Sequence, residues 1–303
     1  MLLVFGSLNV DLVFQVASLP RPGETVLCPG YALAPGGKGA NQATAAAKAG
    51  ASVRMVGHLG EDDFGRLARR ALLAAGVNDG GIATSARATG IAVIGVDRRG
   101  ENQIMVASGA NLDTDAGQIA DAELTSGITV LCQNEIRPEA TFALLERAKA
   151  RGARAILNLA PAGRVPDSVL DALDVLLVNE IEAATAAGGR GDPADLAREL
   201  AARHGLTCIV TVGSQGALAV GPADACRVPA LAVETIDTTG AGDAFAGVLA
   251  AALDRGLALT EALRHASVAA GLACTRLGAQ TSQPDAAAIA ARLGDLGEVA
   301  PLA

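Results

Sequence analysis

Asp237-Thr238-Thr239-Gly240-Ala241-Gly242-Asp243-Ala244-Phe245 is the stretch from which the rest of the chain is read. It follows a short apolar segment and opens a patterned helix. Phe245, Val248, Leu249, Ala252 and Leu253 fall at i, i+3, i+4, i+7 and i+8, which is one buried helical face. Gly240, Ala241 and Gly242 stand where that helix starts. Residues this small let a ligand approach the backbone, and the first N–H groups of a helix have no partner within it. The helix dipole favours an anion at that end. Asp243 then stands in the first turn beside an anion site, which points to a general base acting on a hydroxyl about to be phosphorylated. The plainer reading of Asp243 is helix capping, and a lone Gly-rich motif does not choose between the two.

The chain has 303 residues, enough for one large domain or two small ones. Half of its residues are hydrophobic but only 2% are aromatic, so helices should pack closely through Ala, Val and Leu. A net charge of −8 argues against nucleic acid or an anionic membrane as a partner. It leaves room for a nucleotide, whose phosphates backbone N–H groups and a metal can neutralise. Cys28, Cys132, Cys208, Cys226 and Cys274 are dispersed with no C-x-x-C pair, which reads as reduced thiols and a cytoplasmic protein. His58, His204 and His265 have no metal-ligand spacing, which argues against structural zinc. The N-terminus lacks the basic region and cleavage site of a signal peptide. No apolar run reaches the roughly 18 residues of a membrane span.

Along the chain, Leu2 to Phe5 reads as a buried strand running into Gly6-Ser7, with Asn9 and Asp11 following as turn residues or ligands. Leu12 to Val16 and Thr25 to Leu33 are β-prone pieces interrupted by Pro and Gly, which suggests a small, partly exposed sheet. Ile91 to Val96 and Gln103 to Val106, joined through Arg98-Arg99-Gly100, read as a hairpin that completes it. We therefore expect a single α/β domain over 1–303 with a discontinuous β lid at about 12–33 and 90–107. Pro35-Gly36-Gly37-Lys38-Gly39-Ala40-Asn41-Gln42 precedes an Ala-rich helix but does not fit the P-loop pattern, because Gly39 follows Lys38. Glycines, a lysine and an asparagine at a helix start suit a polyhydroxyl ligand.

From residue 128 short apolar strands alternate with amphipathic helices. Strands Ile128–Leu131, Ala155–Leu159, Val175–Val178 and Cys208–Val212, with helices 138–150 and 193–204, spell a mostly parallel sheet covered on both faces. Ligands bind such sheets outside the carboxyl ends of the strands. The residues there are Asn134 and Glu135; Asn158; Asn179, Glu180 and Glu182; and Gly213 to Gly216. Their shared polarity predicts one functional edge. Helices over 261–275 and 285–293 flank the polar loop Gly278-Ala279-Gln280-Thr281-Ser282.

Taken together, the chain resembles the ribokinase-like (PfkB) carbohydrate kinases. The resemblance rests on Gly36-Gly37-Lys38-Gly39-Ala40-Asn41-Gln42 and on Asp237-Thr238-Thr239-Gly240-Ala241-Gly242-Asp243. Gly6 to Asp11, Pro22-Gly23-Glu24-Thr25, Asn179-Glu180-Ile181-Glu182 and Gly278-Ala279-Gln280 also fit, in the right order along the whole chain. The resemblance implies a three-layer α/β sandwich with a β lid, and transfer of the γ-phosphoryl group of ATP to O5 of D-ribose. It implies that Asn9, Asp11, Gly37, Lys38, Asn41 and Glu135 hold the sugar. Asp243 would take the proton, and the amides of Gly240, Ala241 and Gly242 would stabilise charge on the transferring group. Asn179 and Glu182 match an N-x-x-E motif tied to Mg²⁺ and phosphate placement, without an all-protein metal cage. Thr211, Gly213, Ser214, Gly216 and Gly242 would line the ATP site, with Ser267 where the family often has His or Asn. Asp237, Thr239, Ala273, Arg276, Gly278 and Ser282 match a monovalent-cation (K⁺) site. The lid further implies a homodimer.

The same resemblance admits other acceptors: fructose, deoxyribose, adenosine or pseudouridine. The lid segments offer only Phe14 and Tyr31 as aromatics, which favours a bare sugar over a nucleoside. A non-catalytic sugar-binding regulator is the reading of another class, and the intact Asp243 and its glycines speak against it.

Overall fold

Leu2 and Val4 belong to one hydrophobic core and Leu3 and Phe5 to another, so a four-residue apolar strand alternates between two buried faces. This strand is β1 (Leu2–Phe5) in the computed structural model, which describes residues 1–222 and 224–302. There follow β2 (Asn9–Gln15), β3 (Tyr31–Gly36), α1 (Lys38–Lys48), β4 (Val53–Gly60), α2 (Asp63–Ala74) and β5 (Asn78–Ser85). Next come β6 (Gly90–Val96), β7 (Asn102–Ala107), β8 (Thr129–Cys132), α3 (Pro138–Ala150), β9 (Arg154–Asn158) and α4 (Asp167–Leu170). The chain continues through β10 (Val175–Asn179), α5 (Glu180–Ala187), α6 (Pro193–His204), β11 (Thr207–Thr211), β12 (Ala217–Val220) and β13 (Ala225–Val228). It closes with α7 (Ala241–Asp254), α8 (Leu259–Ala273), α9 (Ala286–Arg292) and β14 (Ala300–Pro301).

The main sheet runs β14-β13-β12-β11-β10-β9-β8-β1-β4-β5. Every pairing from β11 to β5 is parallel, and the β11-β12-β13-β14 edge is antiparallel. One core gathers α1, α7 and α8 side chains such as Ala46, Val248 and Ala266 against the sheet. The other gathers Leu144 and Leu145 of α3 and Leu196 and Leu200 of α6. The result is the helix–sheet–helix layering expected from the alternation.

A separate sheet has the order β3-β2-β6-β7. β2 pairs antiparallel with β3 and parallel with β6, and the Arg98-Arg99-Gly100 turn closes an antiparallel β6–β7 hairpin. Its register places Asn9 beside both Gly36 and Gly90, and Ile91 beside Ala107. All four strands therefore meet the body of the protein along one row. β7 is exposed over its whole length.

Three local expectations change. The β-prone piece at 25–33 contributes strand only from Tyr31, because Pro29 and Gly30 interrupt it and Pro supplies no ladder N–H. β5 and the β12–β13 pair were not legible: β5 carries Gly80 and Gly81, and β12 starts only after Gly216 turns the chain at φ 95°. α7 is buried continuously from Asp243 to Leu253, not on one face. It lies between α1 and α8. Gly247 permits this, since a Cβ there would stand 2.3 Å from the carbonyl oxygen of Gln42.

Candidate active site

Three chain segments converge on Asp243: the start of α7, the start of α1 and the β9 end at Asn158. The Asp243 carboxylate is 7% exposed. Its Oδ2 accepts from Nδ2 of Asn41 and its Oδ1 from Nε2 of Gln42, each at 2.9 Å. The same Gln42 nitrogen donates to Oδ1 of Asn158 at 2.8 Å, and Gln133 donates to Oε1 of Gln42 at 2.8 Å. Oδ1 of Asn41 is buried and has no protein partner. Gln42 and Gln133 carry no role in the sequence reading. The signal for Gln42 was its place beside Asn41 in the Gly-rich run, and Gln133 sits at the carboxyl end of β8.

α1 begins on Gly37, held at φ 86° with no room for a side chain: a Cβ would stand 2.8 Å from the Asn9 nitrogen. Oε2 of Glu135 accepts from the Lys38 backbone N–H at 2.9 Å and from the Ser7 hydroxyl at 2.6 Å. Glu135 thus pins the N-terminus of α1 to the β1–β2 loop. Asn9 is buried, and its Oδ1 accepts from Nδ2 of Asn111 at 2.7 Å. Asn111 also accepts from the Leu8 N–H, so its orientation is fixed by the backbone. Asp11 lies across the ladder from Ala34, against Gly36, where any Cβ would meet its carboxylate at 2.4 Å.

This crowding of charge shows in the titration. Burial pushes the Asp11 carboxyl up to about 6, with Glu135 and Asp243 adding repulsion. Burial pulls the Lys38 ammonium down, but Asp243, Glu135 and Glu182 more than offset it and its pKa rises. Burial raises Glu182, while the Asn179 N–H and Lys38 oppose and Asp243 reinforces that shift. Asn179 and Glu182 form a reciprocal capping box at the start of α5, so the motif has a structural role of its own.

Two cavities meet at Gly242, which lines both. The smaller, about 240 Å³, is lined by Lys38, Asn179, Glu182, Gly240 and Asp243 among others. The larger, about 440 Å³, is lined by Thr211, Gly213, Ser214, Gly216 and Ser267 together with apolar Leu231, Val233 and Phe245. Ser267 is on its wall, yet its hydroxyl is committed to the Pro229 carbonyl at 2.6 Å. Gly240 caps α7 at φ 78°. The Ala241 N–H is bonded to the Thr238 carbonyl at 3.2 Å. Among the described residues the N–H groups of Gly240, Gly242 and Asp243 have no acceptor. The open amides at this helix start therefore exclude Ala241 and include Asp243.

Asp237 joins two loops. Its carboxylate accepts from the Thr239 and Gly278 N–H groups at 2.9 Å each, and these bonds outweigh burial to lower its pKa. The Asp237 N–H and the Ile236 N–H both reach the Cys274 carbonyl. The 237–239 segment and the 273–282 segment are thereby adjacent. Lys48, at the end of α1, donates to the Gln280 and Gln283 carbonyls at 3.3 and 3.1 Å.

The family model described as pfkB family carbohydrate kinase matches residues 1–286. The chain is 37% identical to the bifunctional ribokinase/ribose-5-phosphate isomerase A of Fructilactobacillus sanfranciscensis over 95% of its length, and spans 55% of that protein. It is 34% identical to the ribokinase of Haemophilus influenzae, with 93% of this chain and 95% of that one covered. It resembles the structure of Arabidopsis thaliana ribokinase complexed with ribose and ATP with a TM-score of 0.88 at 31% identity, covering 96% of this chain and 98% of that one.

Proposed function

The chain belongs to the pfkB family of carbohydrate kinases, and from that premise we propose that it transfers the γ-phosphoryl group of ATP to O5 of D-ribose, giving D-ribose 5-phosphate and ADP. The observation that carries this reading is the Asp243 carboxylate, buried, held through both oxygens, and placed on the smaller cavity beside Lys38 and Gly242. O5 forms its bond to the γ-phosphorus as the β,γ-bridging P–O bond breaks, and the O5 proton passes to Asp243. The open N–H groups of Gly240, Gly242 and Asp243 face the charge that develops on the moving group.

Asn9, Asp11, Gly37, Lys38, Asn41 and Glu135 hold the sugar in this reading. The unpartnered Oδ1 of Asn41 suits a sugar hydroxyl as its donor. Asn9 has spent its oxygen on Asn111, so its amide nitrogen is what it offers. ATP takes the larger cavity, whose apolar wall suits an adenine ring, and its phosphates reach toward Gly242. Mg²⁺ fits beside the phosphates near Asn179 and Glu182 and would supply charge neutralisation there. Glu182 is a buried carboxylate on the smaller cavity, with Oε2 given to the capping box.

A monovalent cation, K⁺, fits the adjoining 237–239 and 273–282 segments through carbonyl oxygens, since the Asp237 carboxylate is given over to the two loop amides. We further propose a homodimer through the small sheet. Its supports are the unpaired edge of β7 and the exposed Tyr31, Ile104, Met105 and Val106. A cytoplasmic location fits the five free cysteines.

The test is ADP release from MgATP with D-ribose, 2-deoxyribose, fructose, adenosine or pseudouridine, each with and without K⁺. Fastest turnover on ribose, raised by K⁺, is the expected result. A faster rate on another acceptor would replace the substrate. Ribose binding with no turnover on any acceptor would return the protein to a non-catalytic role.

A further inference from the structure

We infer that Gln42 is a positioning residue for phosphoryl transfer, oriented by Asn158 and satisfied by Gln133 so that its amide N–H faces Asp243. The argument is one of donor and acceptor polarity along a chain of buried amides. It begins at the Leu177 carbonyl, which can only accept. Nδ2 of Asn158 donates to it at 3.2 Å, so Oδ1 of Asn158 is turned the other way. That oxygen can only accept, and it does so from Nε2 of Gln42 at 2.8 Å. Gln42 therefore presents its NH₂ group to this side and its oxygen to the other, where Nε2 of Gln133 donates at 2.8 Å. The second hydrogen of the Gln42 NH₂ group is left pointing at Oδ1 of Asp243, at 2.9 Å.

Reversing the Gln42 amide would set its oxygen against two acceptors, Asn158 Oδ1 and the Asp243 carboxylate. Gln133 satisfies the Gln42 oxygen but does not choose its direction, since the Gln133 oxygen is itself buried without a partner among the described residues. A buried polar group in the wrong orientation forfeits all of its bonds together. Gln42 and Gln133 are fully buried, and the Gln42 amide is spent on Asn158, Asp243 and Gln133. Gln42 consequently acts on the reaction through Asp243 and not through substrate. With Asn41 on the other oxygen, Asp243 is held in one rotamer, its remaining lone pairs available to the incoming hydroxyl.

This inference rests on the assignment of Asp243 as the base, and its test separates the two. Steady-state kinetics with ribose and MgATP compare wild type, Gln42→Met, Gln133→Met and the double variant, with thermal melting of each. The loss of one hydrogen bond to a charged group predicts that Gln42→Met lowers kcat by about ten- to hundredfold. KM for ribose should stay within about twofold. Gln133→Met, which leaves the buried Gln42 oxygen without its donor while Asn158 and Asp243 still hold the nitrogen, should lower kcat by a smaller factor. The double variant should be no slower than Gln42→Met, because both act through one contact. Additive losses, or a kcat unchanged in Gln42→Met, would overturn the inference while leaving the kinase reading intact. A wild-type enzyme without turnover on any acceptor fails the base assignment instead. Should Gln42→Met not fold, Gln133→Met decides alone: reduced kcat at constant KM supports the inference, and unchanged kcat refutes it.

Discussion

Nδ2 of Asn111 donates to Oδ1 of Asn9 at 2.7 Å, while Oδ1 of Asn111 accepts from the Leu8 N–H at 2.8 Å. The backbone thus sets Asn111, and Asn111 sets Asn9, whose nitrogen is the group we propose for the sugar. Asn111→Ala removes this chain of orientation without touching the sugar. We expect KM for ribose to rise about tenfold, the scale of one oriented hydrogen bond, with kcat changed less. An unchanged KM would show that Asn9 finds its orientation elsewhere.

Asp243→Asn keeps the size of the side chain and removes the proposed base, at the cost of setting its NH₂ against the Asn41 or Gln42 donor. Turnover should fall by at least about a hundredfold, within the range for general-base removal, while ribose binding measured by calorimetry persists. An Asn variant as active as wild type would leave Asp243 only as the acceptor that ties α7 to Asn41 and Gln42 of α1.

Gly240 and Gly242 are two residues apart and should fail in different ways. A Cβ on Gly240 would stand 2.8 Å from Cα of Ala279 and require φ 78° of a non-glycine residue. Gly240→Ala should cost about 1–2 kcal/mol or more in stability, the scale of forced left-handed backbone, and lower the Tm. A Cβ on Gly242 meets no protein atom within 4 Å and enters the space where the two cavities join. Gly242→Ala should melt like wild type yet lose activity. Normal activity with normal melting would place the phosphates away from Gly242.

Asp11 supplies the pH dependence. Its pKa is raised from 3.8 to about 6, by burial first and then by Glu135 and Asp243. The folded state therefore holds this proton more tightly than the unfolded chain does. Asp11 subtracts stability as pH rises from about 4 to about 6, by up to about 3 kcal/mol on the scale of a two-unit shift. Asp11→Asn should raise the Tm at pH 7.5 and at the same time raise KM for ribose. In wild type kcat/KM for ribose should fall below pH about 6, as the carboxylate is neutralised. Asp11→Asn should lose this limb, and a limb that persists unchanged would assign it to another group.

The fold was legible where one physical signal acted alone. Helices α3 and α6 fall on the residues expected from their apolar spacing, with Pro at the first helical position of each. β1, β8, β9, β10 and β11 could be read within a residue or so because their runs are short and mostly apolar. The Gly-rich runs marked two helix starts, and the structure brings them together, with Asn41 bonded to Asp243 and Lys38 on the same cavity. The partners that orient the site were not legible. Asn111 is 102 residues from Asn9 and Gln133 is 91 from Gln42, and neither lies in a patterned motif. Only the crossing of strands in space brings such amides together. Continuous burial of α7 also escaped the reading, since alanine on an outer face carries no periodic signal.

The row that joins Asn9, Gly36, Gly90 and Ala107 has a mechanical consequence. Every strand of the small sheet leaves the body along this line, and Asn9 of the proposed sugar site sits on it. A rigid swing of that sheet would be hinged there, with strands of six or seven residues as arms about 20 Å long. Displacement grows with distance from the hinge, so the far tips around Gln15 and Asn102 sweep widely while Asn9 stays nearly still. Such a swing would open and shut the entrance while the proposed contact of Asn9 with the sugar stayed in place.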